Sequence, residues 1–221
     1  MKKRFLILLA ALLLAGCTQA VPAPGTEETT PQTAVPETTV PQPPAETEPP
    51  RDVLREKLDA MTLEEKVGQM FLGRCRWETG AEDIEAYHLG GFVLFGRDFD
   101  DQTPESLRAR LDSYQNAANI PMLLAVDEEG GTVCRISSHA AFREEKFPSP
   151  REAYASGGME MVLAMEWEKG YLLHSLGLNV NLAPVCDISQ TPGAFLYNRS
   201  LGADPVTTGQ FVAGTLERLA E

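Results

Sequence analysis

Residues 121–135, with the sequence PMLLAVDEEGGTVCR, combine an apolar run with three consecutive carboxylates and two glycines. The run at 122–126 is apolar throughout, which suits a strand of a parallel sheet that is covered on both faces. Asp127, Glu128 and Glu129 follow directly, and the glycines then allow a sharp turn. Ligands bind at the carboxyl ends of strands in barrels and open α/β sheets. The stretch therefore predicts a carboxylate in a binding site, and the alternative is a solvated strand end with an ordinary turn.

Strand-like and helix-like segments alternate four times after residue 50. We predict strands at residues 67–73, 91–95, 122–126 and 178–185. Helices are predicted at residues 52–60, 81–88, 103–118, 159–176 and 205–219. Thr62 and Glu65 have the spacing of a capping box, which predicts a helical turn between the first helix and the first strand. The alternation predicts a parallel sheet with right-handed crossovers and consecutive strands side by side.

The number of these units bounds the fold class. Four strand–helix units fit the N-terminal half of a TIM-type (β/α)8 barrel, and they also fit a small open sheet. Residues 51–221 are fewer than the roughly 250 that a complete barrel uses, and they contain no polar strand suited to a sheet edge. We therefore predict an α/β fold that is the opening half of a barrel, in a chain expected to continue beyond Glu221.

The first 50 residues predict export and a tether rather than a folded domain. Three basic residues precede an apolar core at 5–14, and Ala15-Gly16 leads to Cys17. This pattern is similar to the bacterial lipoprotein signal, which implies a signal peptide at 1–16, acylation of Cys17 and a lipid anchor in the cell membrane, on its extracellular face. An ordinary secretory cleavage near Ala20 is the alternative.

The linker and the body differ in composition and charge. Residues 17–50 hold nine of the 16 prolines and few large apolar side chains, which predicts a disordered, extended linker. The formal net charge is −13, and because residues 1–50 contain three basic and five acidic side chains, residues 51–221 carry −11. Because residues 51–221 are this acidic, they repel phosphate backbones, and a nucleic-acid partner is not expected.

The remaining cysteines do not have the spacing of a metal site. Cys75, Cys134 and Cys186 are odd in number and form no CxxC or His-bearing ligand pattern. Free thiols are predicted, with a Cys134–Cys186 bridge as the alternative. Neither a metal nor an organic cofactor is expected.

Residues 55–221 resemble the N-terminal part of the catalytic barrel of family-three glycoside hydrolases, and the bacterial β-N-acetylhexosaminidases in particular. The matching segments, in order, are MTLEEKVGQMFL (61–72), YHLGGFVLFGRDF (87–99), LLAVDEEGG (123–131) with Arg135, LGLNVNLAPVCDIS (176–189) and NRSLGADP (198–205). Two departures are present: Glu128 stands where many members have glutamine, and Thr132 and Cys134 interrupt a more usual GGRVQR.

The resemblance implies that Asp127, Arg135 and Arg199 bind the sugar of a glycan substrate in the first subsite. A carboxylate can accept hydrogen bonds from two neighbouring hydroxyls, and a guanidinium donates in a planar fork. The alternatives are an Asp127–Arg135 ion pair that only braces the loop, and a solvated Arg199.

The resemblance also implies a retaining mechanism, with an aspartate nucleophile on a later strand and a histidine acid/base after a KHFPGHG-like segment. No such segment occurs up to Glu221, so both groups are expected beyond it and no catalytic residue is assigned here. Structural or solvated roles are expected for His88, His139, His174 and Asp187. The aromatic rings of Trp77, Phe95 and Tyr197 could line a sugar platform, but we expect them to fill the core.

The implied function of the full-length protein is hydrolysis of terminal β-linked N-acetylhexosamine, with residues 51–221 supplying part of the sugar subsite and being inactive by themselves. Two alternatives stay open. One is a non-catalytic sugar-binding lipoprotein, and the other is a β-glucosidase-type member of the same family.

Overall fold

The computed structural model describes residues 52–220, so the predicted signal peptide at 1–16, Cys17 and the linker at 17–50 lie outside the described residues. The helices of this region are α1 (Val53–Ala60), α2 (Leu63–Gly68), α3 (Gly80–Tyr87), α4 (Pro104–Ala117), α5 (Pro150–Leu176) and α6 (Pro205–Leu219). The strands are β1 (Leu72–Arg74), β2 (Gly91–Leu94), β3 (Leu123–Val126), β4 (Glu128–Gly130), β5 (Val133–Cys134) and β6 (Val180–Asn181), and a 3-10 helix spans Gly96–Phe99. The predicted α/β class is confirmed.

The main sheet is parallel, with the strand order β1-β2-β3-β6. The four strands of the main sheet therefore lie side by side in the order in which they occur along the chain, as the sequence predicts. The strands β4 and β5 form a separate antiparallel pair whose register is irregular between Glu128 and Gly130. This small hairpin extends directly from the carboxyl end of β3.

The crossover helices α3, α4 and α5 cover one face of the main sheet. Phe92 and Leu94 of β2 lie in register with Leu124 and Val126 of β3, and side chains two residues apart share a face. These four are fully buried, in one core cluster with side chains from all three helices. On the opposite face Leu123 is exposed. Helices on a single face are typical of a barrel wall, whereas a doubly wound sheet carries helices on both.

A second core cluster joins α5 to α6. Its buried members include Phe147, Val162, Met165 and Phe211. The two helices approach closely at Gly170, where an added Cβ would lie 2.3 Å from the Leu219 side chain. The two clusters together fix α5 between the sheet and α6.

The predicted first strand is wrong in most of its length. Residues 67–73 were expected to be extended, but α2 continues to Gly68 and the strand spans only Leu72–Arg74. The Thr62 capping box is present and starts this helix, which continues because Gln69 donates to the Glu65 carbonyl at 3.0 Å. A Cβ on Gly68 would lie 2.2 Å from the Tyr87 carbonyl oxygen, so glycine is required where α2 meets α3.

The predicted fourth strand is shortened, and the helix predicted at 159–176 is preceded by a helical segment that was not predicted. Of residues 178–185 only Val180–Asn181 forms a strand, and Pro184, which has no N–H to donate, cannot continue the ladder. The helix predicted at 159–176 is present, and α5 adds an earlier helical segment that begins at Pro150, after a capping box between Ser149 and Glu152. Gly157 and Gly158 have non-helical backbone angles, and this kink hides the first turns from a search for periodicity.

Cys75, Cys134 and Cys186 are free thiols, as predicted; Cys75 is buried, Cys134 is half-buried and Cys186 is exposed. Within residues 52–220 no helix is both long and apolar enough to cross a bilayer. The same residues contain no group of three or more His, Cys, Asp or Glu side chains arranged to hold a metal ion.

Candidate functional site

The candidate site is built on the β4–β5 hairpin, which follows β3. Gly130 and Gly131 have φ angles of 97° and 64°, which other residues rarely adopt. A Cβ on Gly130 would also lie 2.2 Å from the Pro148 carbonyl oxygen. The two glycines therefore reverse the chain so that Arg135 returns to the side chain of Asp127.

Asp127 and Arg135 form a long, half-exposed ion pair. Nη2 of Arg135 lies 3.4 Å from Oδ2 of Asp127, and the two side chains are 32% and 25% exposed. Nε of Arg135 is buried and has no hydrogen-bond partner among the described residues. Buried N–H groups are nearly always paired in folded proteins. Because this atom is enclosed, a hydroxylated ligand would reach the half-exposed Asp127 carboxylate and the outer part of the Arg135 guanidinium instead.

Arg199 contacts Glu129, which contradicts the alternative of a solvated arginine. Its Nε and Nη2 donate to the two carboxylate oxygens of Glu129 at 2.8 and 2.6 Å, a planar bidentate arrangement. Glu129 is buried. Its hydrogen bonds raise the pKa of Arg199, and the carboxylates of Asp127 and Asp187 add to the effect. Asp127, Arg135 and Arg199 therefore lie together at the carboxyl end of β3.

The side chain of Glu128 stabilises the loop that follows β5. Its fully buried carboxylate accepts the backbone N–H groups of Arg135 and Ile136, both at 2.8 Å, and that of Ser137 at 3.3 Å. The Ser137 hydroxyl donates to the same carboxylate. The backbone of Glu128 is held by the amide of Asn181 on β6, at 3.0 and 3.2 Å. The sequence predicts no role for Glu128 or Glu129, because nothing in their spacing indicates these distant partners.

The loop at residues 186–200 carries aromatic rings to the same region. Phe195, for which the sequence predicts no role, is 83% exposed, and the guanidinium of Arg199 lies 4.9 Å from its ring centre. Tyr197 packs under Arg151, whose Nε donates to the Tyr197 carbonyl at 2.7 Å. Asp187 is exposed on this loop. Arg151 also donates through Nη2 to the Ser189 carbonyl at 2.5 Å, so it joins the first part of this loop to the last.

The other singled-out side chains make contacts elsewhere. Trp77 stacks on Tyr114 with the ring centres 6.2 Å apart, and Phe95 lies beneath Arg74. Nε2 of His139 is 3.1 Å from Asp100. His88 ends α3 in the left-handed conformation, and His174 is exposed in the last turn of α5.

Residues 62–221 match the family model described as the glycosyl hydrolase family 3 N-terminal domain. The chain therefore belongs to glycoside hydrolase family 3, as its resemblance indicated, and the fold is the TIM-barrel-like α/β fold of that domain.

Two relatives by sequence are named β-hexosaminidase. Beta-hexosaminidase LpqI of Mycobacterium tuberculosis is 27% identical over 159 residues, which cover 71% of this chain and 39% of that protein. The beta-hexosaminidase of Vibrio cholerae serotype O1 is 32% identical over 147 residues, covering 64% and 42%. The chain thus spans about two fifths of the length of these relatives.

Solved structures agree with the sequence relatives. A family 3 β-N-acetylglucosaminidase from Paenibacillus superposes with a TM-score of 0.62 at 27% identity, covering 73% of this chain and 31% of that one. The structure of M. tuberculosis LpqI gives a TM-score of 0.63 at 23% identity, over 74% and 47%, and this likeness shows the fold alone.

Proposed function

We propose that this protein removes terminal β-linked N-acetylhexosamine from glycans by a retaining mechanism, and that residues 52–220 form the first half of the barrel and one wall of the sugar subsite. The relatives named β-hexosaminidase support the activity. The observation that carries the proposal is the cluster of Asp127, Arg135 and Arg199 at the carboxyl end of β3, with hydrogen-bonding capacity left in the Asp127–Arg135 pair.

The chemistry of the cluster suits a neutral sugar. The Asp127 carboxylate can accept from two adjacent hydroxyls, and the part-exposed guanidinium of Arg135 can donate to a hydroxyl or acyl oxygen. The charge of Arg199 is balanced by Glu129, so Arg199 acts as an oriented hydrogen-bond donor rather than as a free cation. This balance favours an N-acetylated sugar over an anionic ligand.

The cleavage itself is proposed to use residues beyond Glu221. A retaining glycosidase needs a nucleophilic carboxylate and an acid/base group about 5–5.5 Å apart. Glu128 and Glu129 are unsuited to either role, because the first is enclosed by four donors and the second is paired with Arg199. Residues 52–220 then bind and orient the sugar, and residues 51–221 by themselves are expected to be inactive.

The proposed location is the extracellular face of the cell membrane. Acylated Cys17, after removal of residues 1–16, would anchor the protein, and the linker at 17–50 would hold the barrel away from the lipid surface. Support comes from the residue pattern of this segment. Mass spectrometry of the membrane fraction tests it: a diacylglyceryl-modified Cys17 is expected, and a protein cleaved near Ala20 without lipid would contradict it.

The activity is tested with the protein expressed from its complete reading frame. We expect it to hydrolyse 4-nitrophenyl N-acetyl-β-D-glucosaminide in preference to the plain glucoside. Asp127→Asn should lower kcat/KM about 100-fold, because two charge-assisted hydrogen bonds are weakened. Asp112→Asn, at an exposed pair on α4, is the matched control. Preference for the glucoside would favour the β-glucosidase alternative, and sugar binding without turnover would favour the non-catalytic one.

A further inference from the structure

Helix α5 contains a buried ion pair that does not contact the sugar subsite. Nζ of Lys169 lies 2.8 Å from Oε1 of Glu166, and the two side chains are 1% and 2% exposed. Burying two charges is costly, and replacing such a pair with apolar residues is often neutral or stabilising. The contribution of the pair to stability is therefore a weak reason for its presence.

The ammonium group of Lys169 has a further partner outside the helix. It donates to the backbone carbonyl of Glu129 at 2.7 Å, across 40 residues of sequence. It also lies 5.9 Å from the centre of the Phe147 ring. A Cβ on Gly130 would be 3.5 Å from the same nitrogen. Lys169 is thus packed directly against the β4–β5 hairpin.

Glu129 connects this lysine to the candidate site. Its carbonyl oxygen is fixed by Lys169, and its carboxylate grips the guanidinium of Arg199 with two short hydrogen bonds. A continuous set of hydrogen bonds therefore runs from Glu166 through Lys169 and Glu129 to Arg199. The set begins within a helix that covers the sheet and ends at the subsite.

We propose that Lys169, together with Glu166, is a positioning residue for the sugar subsite: it fixes the backbone of Glu129 in β4, and the Glu129 side chain orients Arg199. The inference rests on the proposed function. Lys169 is too deeply buried to contact a sugar, so it acts only through Glu129. Without Lys169 the Glu129 carbonyl loses this hydrogen bond, and the carboxylate that holds Arg199 is less firmly placed.

The test is the double variant Lys169→Met with Glu166→Leu, in the protein expressed from its complete reading frame. Both charges leave together, so no buried charge is left unpaired, and we expect the melting temperature to stay within a few degrees of the unmodified protein. We expect kcat/KM to fall about ten- to a hundred-fold, mainly through KM, because small misplacements of binding groups are costly. Glu168→Gln, at an exposed ion pair on the same helix, is the matched control and should leave kcat and KM unchanged.

A double-mutant cycle separates positioning from a general structural role. In an Arg199→Ala background the Lys169→Met and Glu166→Leu changes should cause little further loss, because the group that they orient is gone. Full additivity in that background, or unchanged kcat and KM in the double variant, would overturn the proposal. If the double variant does not fold, Glu166→Gln is measured instead. We expect a several-fold rise in its KM, and an unchanged KM would contradict the proposal.

Failure of the two proposals is distinguishable. An unmodified protein that releases no N-acetylhexosamine overturns the proposed function and this inference together. An active unmodified protein whose Lys169 variants match it in every kinetic constant overturns the inference only.

Discussion

Three neighbouring carboxylates after β3 have three different environments. Asp127 is half-exposed beside Arg135, Glu128 is enclosed by neutral donors, and Glu129 is buried against Arg199. Adjacent residues of an extended chain point in opposite directions, which separates the partners of Glu128 from those of Glu129. Asp127 is therefore the carboxylate of the three that keeps capacity for a ligand.

The role of Glu128 predicts a graded effect of substitution. Glu128→Gln retains one oxygen for the two 2.8 Å hydrogen bonds, so it should lower the free energy of unfolding by about 1 kcal/mol. Glu128→Leu leaves several buried N–H groups unpaired and should cost about 3 kcal/mol or more. Urea denaturation measures both, and equal effects would contradict the role assigned to the carboxylate.

Asp98 predicts a pH dependence of stability. Burial raises the pKa of its carboxyl above 3.8, against the hydrogen bond from the Phe95 N–H. Since the folded state binds this proton more tightly than the unfolded state, the free energy of unfolding falls as pH rises from 3.8 through the raised pKa. Asp98→Asn should remove that fall when denaturation is measured across pH 3–7.

Asp83 provides a control of opposite sign. Hydrogen bonds from Arg76 lower the pKa of Asp83. The contribution of this carboxylate to the free energy of unfolding is therefore present above pH 3.8 and is lost as the pH falls through the lowered pKa. Asp83→Asn should therefore flatten the acid side of the same curve. Identical pH profiles for the two variants would show that the environments of these carboxyls are misassigned.

At the scale of elements, the β4–β5 hairpin depends on glycine for both conformation and space. Gly130 has a φ of 97° and no room for a Cβ, whereas Gly193 has a φ of 82° with nothing within 4 Å of its added Cβ. Gly193→Ala should cost about 1 kcal/mol from backbone strain. Gly130→Ala should cost several times more and displace the turn, which thermal melts of the two variants will compare. Similar costs would contradict the close approach at Gly130.

Helix ends were more predictable than strand lengths because capping depends on neighbouring residues. The capping box of Thr62 and Glu65 and the start of α6 at Pro205 follow from local side chains. The length of β6 depends instead on its pairing with β3, which no local pattern specifies. The contact between Glu129 and Arg199 joins residues 70 apart in sequence, so only the fold shows it.

At the scale of the whole molecule, helices cover one face of the parallel sheet, and the edges are apolar. Large apolar side chains are exposed in and beside the edge strands β1 and β6, namely Val67, Met70, Phe71, Leu72, Leu182 and Ile188. Apolar edge strands with unpaired backbone groups favour association. The exposed edges therefore match the barrel-wall interpretation better than that of an independent open sheet.

These edges predict the behaviour of residues 51–221 expressed by themselves. We expect this segment to be oligomeric or poorly soluble in light-scattering chromatography, and Phe71→Lys with Leu182→Lys should reduce the association. Leu216→Lys changes an equally exposed apolar residue on α6 and is the control. A monomer with a cooperative melt would contradict the prediction.

The central claim is that Asp127, Arg135 and Arg199 hold the sugar, and a crystal structure of the protein from its complete reading frame with N-acetylglucosamine bound tests it most directly. We predict both Asp127 carboxylate oxygens within 3.2 Å of sugar hydroxyls, with Arg135 and Arg199 donating to the same sugar. A sugar bound elsewhere, with the Asp127–Arg135 pair closed and more than 4 Å from any sugar atom, would contradict it.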